Sequence, residues 1–170
     1  MKPILYLFVG YPGAGKTTIA KLIETRTGAV HLWADHIRQS MFEKPTHTRQ
    51  ESRQLYEKLN DETAAWLRQG RSVIFDTNFN FYDDRERLRQ IAADNGASVT
   101  LIWVSTPIEI ARHRAIEASE GKATRIFGNM ALVDFERIAA NFQSPRPEEQ
   151  AIEIDGTNLM IDDAYRALRI

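Results

Sequence analysis

The sequence predicts an α/β fold, a parallel sheet wrapped by helices in one domain spanning residues 1–170. Three observations predict it. Short apolar runs recur at Ile4–Val9, Val30–Ala34, Val73–Phe75, Val99–Val104 and Ile152–Ile154. Stretches of helix length separate them, and a glycine-rich turn at Gly10–Thr17 joins the first run to the first such stretch. With 43% hydrophobic residues in 170, the chain can fill a core without staples.

Ile4–Val9 is too short to span a membrane and lacks the pattern of a signal peptide, so it reads as a buried strand of a soluble protein. A helix is expected from Lys16 to about Arg26, stopped by Gly28. Val30–Ala34 is a poorer strand, followed by a short helix from Asp35 to Phe42 that ends before Pro45. Arg49–Arg68 carries Leu55, Leu59, Ala65 and Trp66 among charges, as an amphipathic helix does, and Gly70 ends it. Val73–Phe75 closes on the polar string Asp76-Thr77-Asn78. Tyr82–Asp94 is helical with Gly96 as its stop, and Val99–Val104 is the fourth strand. Pro107 opens the next helix at a tolerated first-turn position. Residues 119–129 are polar, small and interrupted by Gly121 and Gly128, which suggests a mobile excursion. A further helix runs to about Phe142, Ser144–Pro147 is a loop, Ile152–Ile154 the last strand, and the tail a short helix. Internal repeats and low-complexity tracts are absent from the sequence.

Composition narrows the function classes. There are no cysteines, which excludes disulfides, thiolate metal sites and cysteine nucleophiles and fits a reducing cytoplasm. The 22 basic and 23 acidic residues leave a net charge of −1, without the basic excess of a protein that coats nucleic acid. A local basic cleft could still hold a short phosphorylated substrate. No feature of the sequence assigns an oligomeric state.

Gly10-Tyr11-Pro12-Gly13-Ala14-Gly15-Lys16-Thr17 matches G-x-x-x-x-G-K-[ST] at every fixed position, with Thr18 continuing into the helix. The glycines let backbone N–H groups approach phosphate oxygens with no Cβ in the way. The helix that follows aims its N–H groups and positive dipole at the same anion. Lys16 can bridge the β- and γ-phosphates of ATP, and the Thr17 hydroxyl can ligate Mg²⁺. The plain alternative is an ordinary βα turn, which leaves the strand-motif-helix context unexplained.

Ligands of open α/β sheets bind beyond the carboxyl ends of the strands. The second strand ends near Asp35, with Arg38 one helical turn on; the third ends at Asp76-Thr77-Asn78, the fourth at Ser105-Thr106. Phosphoryl transfer to an alcohol needs a carboxylate to orient the attacking hydroxyl and take its proton, which suits Asp35. Arg38 can grip an anionic group on the acceptor. Asp76 is a Walker-B-like candidate that orders Mg²⁺-bound water or the acceptor hydroxyl. Each has a plainer reading: Asp35 as a helix N-cap, Arg38 as a surface residue, Asp76 as a turn-former.

With those residues in view, the sequence resembles the P-loop kinase group that contains the polynucleotide 5′-hydroxyl kinases, within the AAA-type ATP-binding domains. Zeta-toxin-like, chloramphenicol and gluconate kinases are related members, and the likeness is greatest to the kinase domain of phage polynucleotide kinase. The matching pieces are the P-loop, then Asp35-His-Ile-Arg38-Gln-Ser, then Phe75-Asp76-Thr77-Asn78-Phe79-Asn80. The resemblance implies a five-stranded parallel sheet in 2-3-1-4-5 order, Mg²⁺-ATP as phosphate donor, and a lid carrying arginines, here at about residues 119–130. It implies that Asp35 is the base and that Arg38 holds the acceptor's 3′-phosphate. Arg112 and Arg114 on the helix entering the lid, and Arg125 within it, are the lid candidates. Arg112 or Arg114, and Arg125, are candidates to stabilise charge on the transferring phosphoryl, with Arg112 also a candidate contact to the nucleotide; each also reads as a solvated cation.

His31, His36, His47 and His113 show no paired metal-ligand spacing and are expected in structural or surface roles. Trp33, Trp66 and Trp103 are expected in core packing. The tail Glu153-Ile-Asp155-Gly-Thr157 is one residue from a phosphatase-type Asp-x-Asp-Gly-Thr but lacks the nucleophilic Asp, and reads as the last strand plus a loop near the adenine. Three functions follow. The first is an ATP-dependent kinase acting on a hydroxyl, with a nucleic-acid 5′ end as first acceptor. The second is a small-molecule kinase for a sugar, antibiotic or nucleotide-sugar, and the third a nucleotide-dependent switch or ATPase.

Overall fold

The computed structural model describes residues 2–78, 80–117 and 128–170. Its strands are β1 (Ile4–Val9), β2 (Val30–Trp33), β3 (Val73–Asp76), β4 (Ser98–Val104) and β5 (Ile152–Ile154). They form one sheet in the order β2-β3-β1-β4-β5, every neighbouring pair parallel. This is the order the resemblance implied. The helices are α1 (Lys16–Thr27), α2 (Ala34–Met41), α3 (Arg49–Arg68), α4 (Tyr82–Asp94), α5 (Ile108–Ile116), α6 (Leu132–Ala140) and α7 (Ile161–Leu168). None of those described is long and apolar enough to cross a membrane.

Strand alternation divides the core in two. Leu5, Leu7 and Val9 of β1 face Leu55, Leu59 and Leu67 of α3 and Leu88 and Ala92 of α4. Tyr6 and Phe8, pointing the other way, meet Ile19, Ala20 and Ile23 of α1 and Ala164 and Leu168 of α7. A strand buried on both faces needs a continuous apolar run, and Ile4–Val9 supplies one.

Boundaries moved where local geometry prevailed over pattern. Pro107 takes extended angles (φ −51°, ψ 139°) and is the N-cap of α5, so the helix begins at Ile108. At β2 no loop intervenes: Trp33 is the last strand residue and Ala34 the first of α2. Trp33 is thereby the N-cap, and Asp35 lies inside the first turn of α2, where a carboxylate suits the dipole. Thr48 caps α3 by accepting from Glu51 N. A short 3-10 turn, Pro147–Glu149, stands in the segment between α6 and β5.

That turn carries one half of a buried ion pair. Arg85 of α4 is fully buried and donates from Nε and Nη2 to the two carboxylate oxygens of Glu149, each at 2.7 Å. Arg89 Nη2 adds a third bond at 2.9 Å and Arg146 N a fourth at 2.9 Å. Burial alone would push the Glu149 carboxyl up; these donors, Arg85 foremost, hold it down at about 2.

Candidate active site

The P-loop leaves β1 at Val9 and re-enters regular structure at Lys16. Its path needs glycine at Gly13, where φ is 83° and a Cβ would collide with the carbonyl of Ala111 in α5. A turn closes the loop through Ala14 N to Tyr11 O at 3.0 Å, and Thr106 Oγ1 beyond β4 donates to Ala14 O at 2.8 Å. The Tyr11 ring packs on Phe142, with centroids 4.6 Å apart. Gly15 is the N-cap of α1 and provides no side-chain cap, and the N-terminus of that helix faces the loop.

Lys16 is 7% exposed, its ammonium donating to Gly10 O and Tyr11 O at 2.8 Å each. Thr17 Oγ1 donates to Asp76 Oδ1 at 3.3 Å. Asp76, the last residue of β3, is 3% exposed and pairs in register with Trp33 of β2. A hydroxyl and a carboxylate side by side at the start of α1, with uncapped N–H groups and an ammonium beside them, fit Mg²⁺ and a triphosphate. Mg²⁺ keeps few protein ligands and shares the rest with phosphate and water. Among the described residues no group of three or more His, Cys, Asp or Glu could hold a metal by itself.

A cavity of about 1230 Å³ opens over the carboxyl ends of the strands. Pro12, Gly13, Gly15, Lys16, Thr17 and Thr18 line one part; Trp33, Asp35, Arg38, Ser52, Tyr56 and Asp76 line another. Arg38 is 8% exposed, with Nη1 3.4 Å from Glu51 Oε2 and Nη2 3.4 Å from Ser52 Oγ. Glu51 also accepts from Thr46 N and Oγ1 and from His47 N. Desolvation pushes the Glu51 carboxyl up, but these donors and the Arg38 charge outweigh it and leave it below its usual range. His47, another lining residue, is held in a left-handed conformation at φ 55°. Tyr56 Oη lies 2.9 Å from Thr77 Oγ1, and burial pushes its phenol up. Asn80, also lining the cavity, has a buried Oδ1 with no hydrogen-bond partner among the described residues.

Of the lid candidates, the described residues include Arg112 and Arg114, and the two take different partners. Arg114 lines the cavity, yet its guanidinium donates to the carbonyls of Gly156 and Thr157 at 2.7 Å each, tying α5 to the loop after β5. Arg112 is exposed, does not line the cavity, and pairs with Glu109 one turn earlier at 3.0 Å. Two positions apart on α5, one side chain turns to the loop after β5 and the other to solvent. Arg125, and the lid as far as residue 127, lie outside the described residues.

Reading the sequence missed the polar groups that brace the site. His31 was expected in a structural or surface role; its Nε2 lies 3.1 Å from Asp76 Oδ2 and its Nδ1 3.1 Å from Glu24 Oε2, which puts it beside the site. Burial pushes this imidazole down; bonds and charges from Asp76 and Glu24 more than offset that and raise it. The alternation of His31 with Leu32 in β2 was the one available signal, since it puts His31 on the α1 face of the sheet.

The sequence profile of the AAA domain family matches residues 5–143. Among solved structures, a candidate kinase of Chloroflexus aurantiacus superposes with a TM-score of 0.78 at 20% identity, over 99% of this chain and 98% of that one. The APS kinase CysC of Mycobacterium tuberculosis, in complex with AMPPNP and APS, gives 0.73 at 17% identity, over 99% and 96%. A chain of the Pnkp1/Rnl/Hen1 RNA repair complex gives 0.66 at 20% identity, over 82% of this chain and 43% of that one. At such identities the likeness establishes the fold, that of P-loop kinases. No curated protein matches this sequence.

Proposed function

The chain belongs to the AAA domain family, and from that premise we propose that it is an ATP-dependent kinase transferring the γ-phosphate of Mg²⁺-ATP to a hydroxyl. A polynucleotide 5′-hydroxyl is the first acceptor. The observation that carries the reading is the Thr17–Asp76 contact beside Lys16, in one cavity with Asp35.

Backbone N–H groups of residues 13–17 and the Lys16 ammonium bind the β- and γ-phosphates. Thr17 and Asp76 would hold the magnesium, which when bound would neutralise phosphate charge. Asp35 orients the acceptor hydroxyl and takes its proton as the oxygen bonds to the γ-phosphorus. The bond from that phosphorus to the β–γ bridging oxygen breaks, and the electron pair leaves on ADP. Arg38 positions the acceptor through an anionic substituent such as a 3′-phosphate. ATP as the phosphate donor is compatible with the reading of the chain as a cytoplasmic enzyme.

A small-molecule acceptor is the second reading. Glu51 offsets part of the Arg38 charge, which suits a less anionic acceptor. Radiolabelled γ-phosphate supplied as ATP decides between them: label on 5′-hydroxyl oligonucleotides, strongest with a 3′-phosphate, supports the first. Label only on sugars or nucleosides supports the second, and ATP hydrolysis with no labelled acceptor contradicts both.

A further inference from the structure

Asp76 is held from two sides. Thr17 of α1 donates to Oδ1, and His31 of β2 stands 3.1 Å from Oδ2. A carboxylate only accepts, so His31 Nε2 carries the proton this contact uses. The His31 side chain is 7% exposed. Its ring lies nearly parallel to that of Trp33, 6.1 Å away at 15°, and Glu24 of α1 holds the other ring nitrogen.

The terminal torsion of an aspartate is broad and two-fold, so an unbraced carboxylate presents several orientations. Donors on opposite oxygens select one. Outer partners of this kind orient metal ligands, and losing them weakens metal binding. The function proposed above gives His31 no task, although it touches a residue assigned to the metal.

We propose that His31 is a positioning residue for magnesium, fixing Asp76 through Oδ2 so that the side of the carboxylate next to the Thr17 hydroxyl serves the ion. This rests on Asp76 being the metal-side carboxylate, and the two ideas separate experimentally. The readout is binding without turnover: fluorescence titration with mant-AMPPNP, in EDTA and in saturating magnesium, on the whole chain. The quantity of interest is the gain in affinity that magnesium brings.

Wild type should show the gain and Asp76→Asn should lose it. His31→Leu should shrink it by about 10-fold while affinity in EDTA stays unchanged, and His31→Gln, which keeps an N–H of sufficient reach, should restore most of it. His31→Asn, polar but too short, should behave as His31→Leu and carries the test if the leucine variant does not fold by circular dichroism. A full gain in His31→Leu or His31→Asn, with loss in Asp76→Asn, overturns the role of His31 alone. So does an affinity loss equal in EDTA and magnesium, the mark of a purely structural residue. An undiminished gain in Asp76→Asn overturns the assignment of Asp76, and the inference with it.

Discussion

Thr17 Oγ1 lies 3.3 Å from Asp76 Oδ1 although 59 positions separate the two residues in sequence. The contact joins the first turn of α1 to the end of β3 and puts two oxygens of different chemistry at the mouth of the phosphate loop. Thr17→Ala should therefore weaken nucleotide binding by about 10–100-fold in magnesium, and leave it unchanged in EDTA. Thr17→Ser should retain the wild-type difference, and calorimetric titration with a non-hydrolysable nucleotide checks both.

Asp35 occupies the first turn of α2 and lines the cavity, and Trp33, not Asp35, is the N-cap. Its removal should therefore spare the helix and damage the chemistry. Asp35→Asn should lower the single-turnover transfer rate by about 10²–10⁴-fold with nucleotide affinity unchanged. A variant that transfers phosphate at the wild-type rate would deny Asp35 the role of base.

Glu149 and Arg85 form the buried pair that fastens α4 to the segment before β5. Replacing Glu149 by Gln strands the guanidinium and should destabilise the fold by about 3–5 kcal/mol at neutral pH. The folded pKa of about 2 lies below the ordinary 4.5. The stabilisation is thus complete above 4.5 and fades as pH falls through that window toward 2. Urea unfolding at pH 7 and at pH 3 should show the gap between wild type and variant narrowing at the lower pH.

A Cβ on Gly156 would run into Thr106 Oγ1 and the Ala14 carbonyl. Gly156→Ala should push the loop after β5 off the P-loop and lower stability by about 1–3 kcal/mol. Because Arg114 grips the same loop at Gly156 O and Thr157 O, the KM for ATP should rise more than kcat falls. Thermal melting with steady-state kinetics gives both numbers.

What the sequence revealed and what it concealed divide by range. The P-loop was legible because its motif is written in eight consecutive positions, and the strands because an apolar run between turn residues has few other uses. The ends of β2 and β3 were legible as ligand-facing because parallel sheets bind there, which brought Asp35, Arg38 and Asp76 forward; all three line one cavity. The partners of those residues were not legible. His31 meets Asp76 across a strand pairing, Glu51 reaches Arg38 only after α3 docks on α2, and Glu149 meets Arg85 from 64 residues away. Arg112 and Arg114 looked alike in sequence. The direction each takes from α5 separates them, one to Glu109 and the other to the loop after β5.

Lys16→Ala tests the phosphate loop most directly. Lys16 sits within its own loop, 2.8 Å from the carbonyls of Gly10 and Tyr11, and the account gives its charge to the β- and γ-phosphates. Titration of ATP in magnesium should show saturable binding in wild type and a loss of at least about 10-fold in the variant, with transfer abolished, for a single charge-assisted contact of about 1.5–3 kcal/mol. Undiminished affinity and turnover in Lys16→Ala would contradict the account.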